Sequence, residues 1–156
     1  MIQRMIQRHY QILNWNVRGL NDGARRDVVQ ELIRDIGSTI VCLQETKLSM
    51  IDQPIIARTL GAKFVNNYTV LPATQTRGGI LLAVSEDFFM LSNVSTSNNT
   101  ITAMITLKAD GTERWITVVY EPQSDADKFL FLQELRALAS QNRDRWLILG
   151  DFNLIY

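Results

Sequence analysis

The chain has 156 residues, 46% of them hydrophobic, and its 16 Lys and Arg balance 16 Asp and Glu. That length and hydrophobicity suit one domain with a substantial core. Zero net charge excludes the chain-wide basic footprint that dominates non-specific nucleic-acid binding.

A lone cysteine, Cys42, rules out an intrachain disulfide and suggests no oxidising compartment. It lies in the apolar run Ile40-Val41-Cys42-Leu43, which predicts a buried, inert thiol. No stretch nears the roughly 20 apolar residues of a membrane helix. The arginine-bearing N-terminus lacks the apolar core of a secretion signal. An intracellular protein, nuclear or cytoplasmic and not secreted, is expected.

The tetrapeptide MIQR occurs twice in succession, at 1–4 and 5–8. A copy this short is no structural repeat, so residues 1–9 are read as a poorly ordered leader, with His9 a surface side chain. The first strand is predicted over Tyr10–Val17, with Ile12 and Trp15 among its core residues and Asn16 near its end. A polar, glycine-bearing turn, 18–23, opens a helix in which Val28, Val29, Leu32, Ile33 and Ile36 share a face. Gly37 stands where a helix commonly closes. Ser38–Gln44, nearly all apolar, predicts a strand buried on both faces.

A linker with Pro54 and a short helix ending near Gly61 follow Glu45-Thr46-Lys47. Lys63–Tyr68 reads as a strand, 72–79 as a loop and Ile80–Val84 as the strand it enters. Three more strands are expected over Phe88–Val94, Thr100–Lys108 and Glu113–Tyr120, the last two joined at the Asp110-Gly111 turn. Ser124 with Asp127 forms a capping arrangement for a helix that turns Phe129, Leu132, Leu135 and Leu138 inward. The final strand, 145–153, ends in Gly-Asp-Phe-Asn, and alternation puts Asp151 and Asn153 on one face. Strand–helix–strand, a strand meander, then helix and strand argue a mixed α/β sandwich.

Polar side chains thus stand at or just past four strand ends: Asn16, Glu45, Tyr120 and the pair Asp151/Asn153. Each alone also fits a plain role: a turn cap for Asn16, a solvated ion pair between Glu45 and Lys47, a ring anchor for Tyr120, local backbone caps for Asp151 and Asn153. Together, oxygen donors gathered at strand ends suit a hard divalent cation. No His/Cys cluster supports zinc.

Four stretches in order, Trp15-Asn16-Val17-Arg18-Gly19-Leu20, Leu43-Gln44-Glu45-Thr46-Lys47, Arg77-Gly78-Gly79-Ile80 and Leu149-Gly150-Asp151-Phe152-Asn153, resemble the endonuclease/exonuclease/phosphatase superfamily. Their wording is most similar to the apurinic/apyrimidinic-type endonuclease domain of plant non-LTR (LINE-type) retrotransposons, over about residues 10–156. The resemblance implies a four-layer, two-sheet α/β sandwich with its site where strand ends converge. It implies Glu45 as the main ligand of Mg2+ (or Mn2+), helped by Asn16, with Lys47 holding the Glu45 carboxylate. Asp151 would orient or deprotonate a water, Asn153 and Tyr120 would hold the scissile phosphate, and DNA would be nicked by in-line hydrolysis.

The sequence departs from that pattern in two respects. The family's Ser-Asp-His motif lies beyond the Gly-Asp-Phe-Asn strand, whereas this sequence ends at Tyr156. Residues 10–156 are therefore expected to be the N-terminal part of such a domain: a partial sandwich with an incomplete catalytic set, and with exposed apolar surface that favours self-association. Glu121 also stands where that branch usually has glycine, and its carboxylate is expected to repel a phosphate held by Tyr120. Two further readings are an inactive fragment serving as a binding module, and the phosphatase branch of the superfamily.

Overall fold

A computed structural model describes residues 10–75, 77–141 and 144–153. The leader and His9 lie outside them. Two βαβ units frame the described chain, one in each of two four-stranded sheets. In the first, β1 (Gln11–Asn16) runs through helix α1 (Gly23–Ile36) to β2 (Ser38–Gln44), which pairs parallel to β1. In the second, β7 (Glu113–Tyr120) runs through α3 (Asp125–Ala139) to β8 (Trp146–Asp151), again parallel. Helix α2 (Gln53–Thr59) and strands β3 (Tyr68–Leu71), β4 (Ile80–Val84), β5 (Phe89–Thr96) and β6 (Thr100–Leu107) lie between them. The sheet orders are β1-β2-β4-β3 and β5-β6-β7-β8.

The helix ends follow their sequences. Asp22 caps α1 by accepting from Ala24 N, and Gly37 closes it in the left-handed conformation, φ 71°. Pro54 sits in the first turn of α2, where its missing N–H costs nothing. Ser124 caps α3 by accepting from Asp127 N.

Burial divides into two cores. Leu13, Val29, Ile33, Leu43 and Phe64 pack helices α1 and α2 on the outer face of the first sheet. Ile40, Cys42, Leu82, Ile101 and Val118 fill the space between the sheets. Every residue of β2 is buried, as an apolar strand covered on both faces must be. On the second sheet's other face, Trp146 Nε1 donates to Thr117 Oγ1 at 2.9 Å, and Thr117 shares a 2.8 Å bond with Thr102. Helix α3 is tied there through Glu134, which accepts from Thr100 Oγ1 at 2.8 Å. The order is helices, sheet, sheet, helix, the expected sandwich.

Three expectations fail locally. Lys63–Tyr68 is not a strand: Ala62–Phe64 forms a 3-10 turn and the strand begins at Tyr68. The apolar pair Phe64-Val65 comes from a turn that plugs the first core, so its residues are apolar without being extended. Ile12 is exposed, because the face of β1 turned to the core carries Leu13. Helix α3 buries Phe131 and Leu138, while Phe129 is 61% and Leu132 49% exposed. Apolar residues occur all around this helix, so their spacing did not single out the inward stripe. Leu130 and Leu147 are exposed as well.

Burial pushes the Cys42 thiol from its ordinary value near 9 up to about 12. The folded chain keeps a proton that the unfolded chain loses, so stability falls as pH rises from about 9 toward 12. Native protein at pH 8 is expected to resist iodoacetamide, and urea-unfolded protein to be alkylated quickly. Alkylation of the native form at the unfolded rate would show that Cys42 is not sealed between the sheets.

Candidate active site

Parallel pairing decides where the polar residues go. Strands β1 and β2 end side by side, with Asn16 opposite Gln44 and Glu45 following. Strands β7 and β8 end likewise, with Tyr120 opposite Asp151. The edge strands of the two sheets then meet: Asn16 Nδ2 donates to Asp151 Oδ2 at 2.7 Å, and Asn14 Nδ2 to Gly150 O at 3.4 Å. Residues 135 positions apart thus share a hydrogen bond.

Each group is held by its own surroundings. Asn16 Oδ1 accepts from Arg18 N at 3.1 Å, which fixes the amide with its nitrogen toward Asp151. The other Asp151 oxygen accepts from Asn153 N at 3.0 Å. Asn153 has φ 43°, so alternation stops at Asp151, and its side chain donates to Glu121 O at 3.0 Å. The structure joins Asp151 and Asn153 through this turn, whereas the sequence reading put them on one face of a continuing strand.

Beyond β2 the chain takes a strained path, with Glu45 at φ 57° and Lys47 at φ 56°. Backbone bonds maintain it. Gly19 N and Leu20 N donate to Glu45 O and Thr46 O at 2.7 and 2.8 Å, and Lys47 N donates to Gly78 O at 2.8 Å. Left-handed φ in residues with side chains costs of order 1–3 kcal/mol each and persists only where neighbours enforce it. Lys47 Nζ then lies 3.3 Å from Glu45 Oε1.

Two glycines make this path possible, and the sequence reading gave them no role. A Cβ on Gly78 would lie 3.0 Å from Tyr120 Cε1 and 3.1 Å from Glu45 Cγ. A Cβ on Gly79, at φ 86°, would lie 2.5 Å from Thr46 Oγ1. The polar–glycine–glycine order at a strand entry was the available cue, since paired glycines mark a close approach of chains. Gly150 serves the same end in β8, where a Cβ would fall 1.9 Å from Val119 O.

Burial, then the nearby Glu45 and Asp151 carboxylates, raise the Tyr120 phenol above its ordinary value. It therefore stays a hydrogen-bond donor through neutral pH. Glu121 is 2% exposed, and its Oε2 has no hydrogen-bond partner among the described residues, which is a cost to the fold.

A hard divalent cation fits this donor set. Glu45 supplies a partly buried carboxylate, Asn16 an amide oxygen that also accepts from Arg18 N, and Asp151 a second carboxylate from the other sheet, with Gly78 packed closely against Glu45 and Tyr120. Among the described residues no group of three or more His, Cys, Asp or Glu side chains converges, so no all-protein metal cage is formed. Magnesium binds in such places through one or two carboxylates plus water and substrate oxygens.

Gly78→Ala is expected to keep the fold yet weaken Mn2+ binding ~10- to 100-fold, by parting Glu45 from its support. Titration calorimetry checks this, and unchanged affinity would deny Gly78 its role. Glu121→Met is expected to raise the melting temperature by a few degrees, since it removes a buried oxygen without a partner. A lower melting temperature would mean that the carboxylate is satisfied.

The chain's relatives share this architecture. It superposes on the Bacteroides thetaiotaomicron mannosyl-6-phosphatase Bt3783 with a TM-score of 0.66 at 12% identity, over 95% of this chain and 67% of that one. For the AP endonuclease LMAP from Leishmania major the values are 0.58, 20%, 93% and 55%. For D. rerio TDP2 complexed with single strand DNA product they are 0.63, 14%, 93% and 61%. The chain thus spans from 55% to 67% of the length of these structures, and at such identities the likeness is one of fold. No curated protein sequence matches the chain. Residues 13–156 match the model of the endonuclease/exonuclease/phosphatase family, and the chain belongs to that family.

Proposed function

We propose that the chain carries the metal-side half of a phosphodiesterase site and that its substrate is DNA, as in the endonuclease domain of a non-LTR retrotransposon. The observation that carries this reading is the bridge at Asn16, Asp151 and Asn153, which aims one carboxylate into the gap faced by Glu45 and Tyr120. A divalent ion such as magnesium, held by Glu45 and Asn16, would neutralise charge developing on the phosphate oxygens.

The chain's own residues supply the rest. Both Asp151 oxygens already accept one bond each, from Asn16 and from Asn153 N, which orients the carboxylate. Each keeps acceptor capacity for a water proton, so Asp151 can act as the general base for an attacking water. The Tyr120 hydroxyl donates to a non-bridging phosphate oxygen and cannot compete as an anion at neutral pH. Asn153 spends one amide hydrogen on Glu121 O and retains a second for the phosphate. Lys47 keeps Glu45 in place through their 3.3 Å contact.

The histidine that the resemblance implies has no counterpart in residues 10–156. Loss of one transition-state donor costs about 10²–10³ in rate, so slow turnover is expected from this chain. A second reading, a phosphomonoesterase, is favoured by the fold likeness to a mannosyl-6-phosphatase.

The test is nicking of supercoiled plasmid by residues 1–156 in Mg2+, beside calorimetric Mn2+ binding. Slow metal-dependent nicking is expected, lost in Glu45→Ala and reduced ~10²- to 10⁴-fold in Asp151→Ala. Mn2+ binding should disappear in Glu45→Ala alone. Metal binding that survives Glu45→Ala would sink the reading, and so would hydrolysis confined to phosphomonoesters.

A further inference from the structure

Two open grooves lie at this end of the sandwich, and they differ in chemistry. One, about 590 Å³, runs past Glu45, Lys47, Arg77, Tyr120 and Ser124. Its cations are engaged: Lys47 contacts Glu45, while Arg77 donates to Pro72 O at 3.2 Å and Asn98 O at 3.3 Å. The other, about 680 Å³, is lined by Asp151 and runs past Asn16, Arg18, Arg25, Trp15 and Val28. Each exceeds the needs of one phosphate and reaches the size of an ordinary ligand cleft.

The second groove combines features that suit a nucleotide. Arg25 is anchored by bonds from Nη1 to Val17 O at 3.0 Å and Arg18 O at 3.1 Å, and its charge persists at the groove wall. Arg18 is exposed, with φ 52°; its backbone N–H donates to Asn16 Oδ1 and its carbonyl accepts from Arg25, and its side chain has no bond among the described residues. Its guanidinium is thus free for a phosphate oxygen. Val28 is 53% exposed on α1 beside half-buried Trp15, an apolar surface next to two cations. Asp22 also lines the groove, and its carboxylate is committed to the α1 cap through Ala24 N at 2.9 Å.

We propose that this groove is a nucleotide subsite. Arg18 takes the phosphate next to the scissile one, Arg25 adds charge, and Val28 with Trp15 receives the neighbouring sugar or base. The inference rests on the phosphodiesterase reading and deepens it, because a small phosphomonoester leaves this groove empty. It also reconciles zero net charge with a polyanionic substrate: the attraction is local, set where the strand leaves the bridge.

The probe is a fluorescein-labelled single-stranded ten-nucleotide DNA, followed by anisotropy in Ca2+ across a salt series. Arg18→Ala is expected to weaken binding several-fold and to reduce the log–log salt slope by about one. Val28→Asp should weaken binding as well, through lost apolar contact and an added carboxylate beside the two arginines. Arg114→Ala, at the far end of β7, should leave both unchanged. Arg18 and Val28 are exposed, and unaltered thermal melting of each variant will separate binding from folding.

Equal affinity and slope in wild type, Arg18→Ala and Val28→Asp would overturn the subsite. Plasmid nicking that still depends on Glu45 would then leave the phosphodiesterase reading standing. Wild-type protein that binds inorganic phosphate but not the oligonucleotide would overturn the subsite as well, and would favour the phosphomonoesterase.

Discussion

The site depends on one topological constraint: each sheet contains one parallel strand pair, and both pairs end at the same place. A parallel pair requires a crossover, and α1 and α3 supply one to each sheet. Their C-terminal ends then coincide, which sets Asn16 beside Glu45 and Tyr120 beside Asp151. Antiparallel β4 enters from that same end, and brings Gly78 and Gly79 with it. The bond between Asn16 and Asp151 then couples the sheets at their edges. Damage to either crossover would therefore reach the site even from a distant residue.

Much of this was legible because it follows from short-range chemistry. Asp22, Gly37 and Ser124 cap helices as their types predict, and the apolar run of β2 is buried throughout. The polar residues at strand ends were visible as such, and the structure brings Asn16, Glu45, Tyr120, Asp151 and Asn153 to one end of the sandwich. What escaped reading depends on partners far along the chain. The inward face of α3 is fixed by the sheet beneath it, and Phe129 and Phe131 are equally apolar in sequence. Glu121 follows a strand-end tyrosine in sequence yet is buried. The requirement for Gly78 and Gly79 appears only when Glu45, Thr46 and Tyr120 arrive from other strands.

Backbone strain and electrostatics work together at Glu45. A carboxylate that is partly buried and close to Asp151 gains from any cation nearby, and Lys47 provides one from two residues away. Both residues adopt positive φ at this contact. A positive charge thus lies against Glu45, which lowers the cost of holding two carboxylates around one phenol.

The choice between diester and monoester chemistry turns on the space around the bridge rather than on the bridge itself. Both reactions use a metal, a base and a phosphate clamp, and the residues that resemble those groups would serve either. A monoester ends at the reacting phosphorus, whereas a strand continues on both sides of it. Two grooves leave this site in different directions, and one is lined by a guanidinium whose side chain bonds to nothing else among the described residues. An exposed arginine without an internal partner contributes little to the fold, as a surface charge in water must. Under the proposed subsite, its worth lies in what enters the groove, and a chain that continues past the bridge is the ligand shape that would reach it.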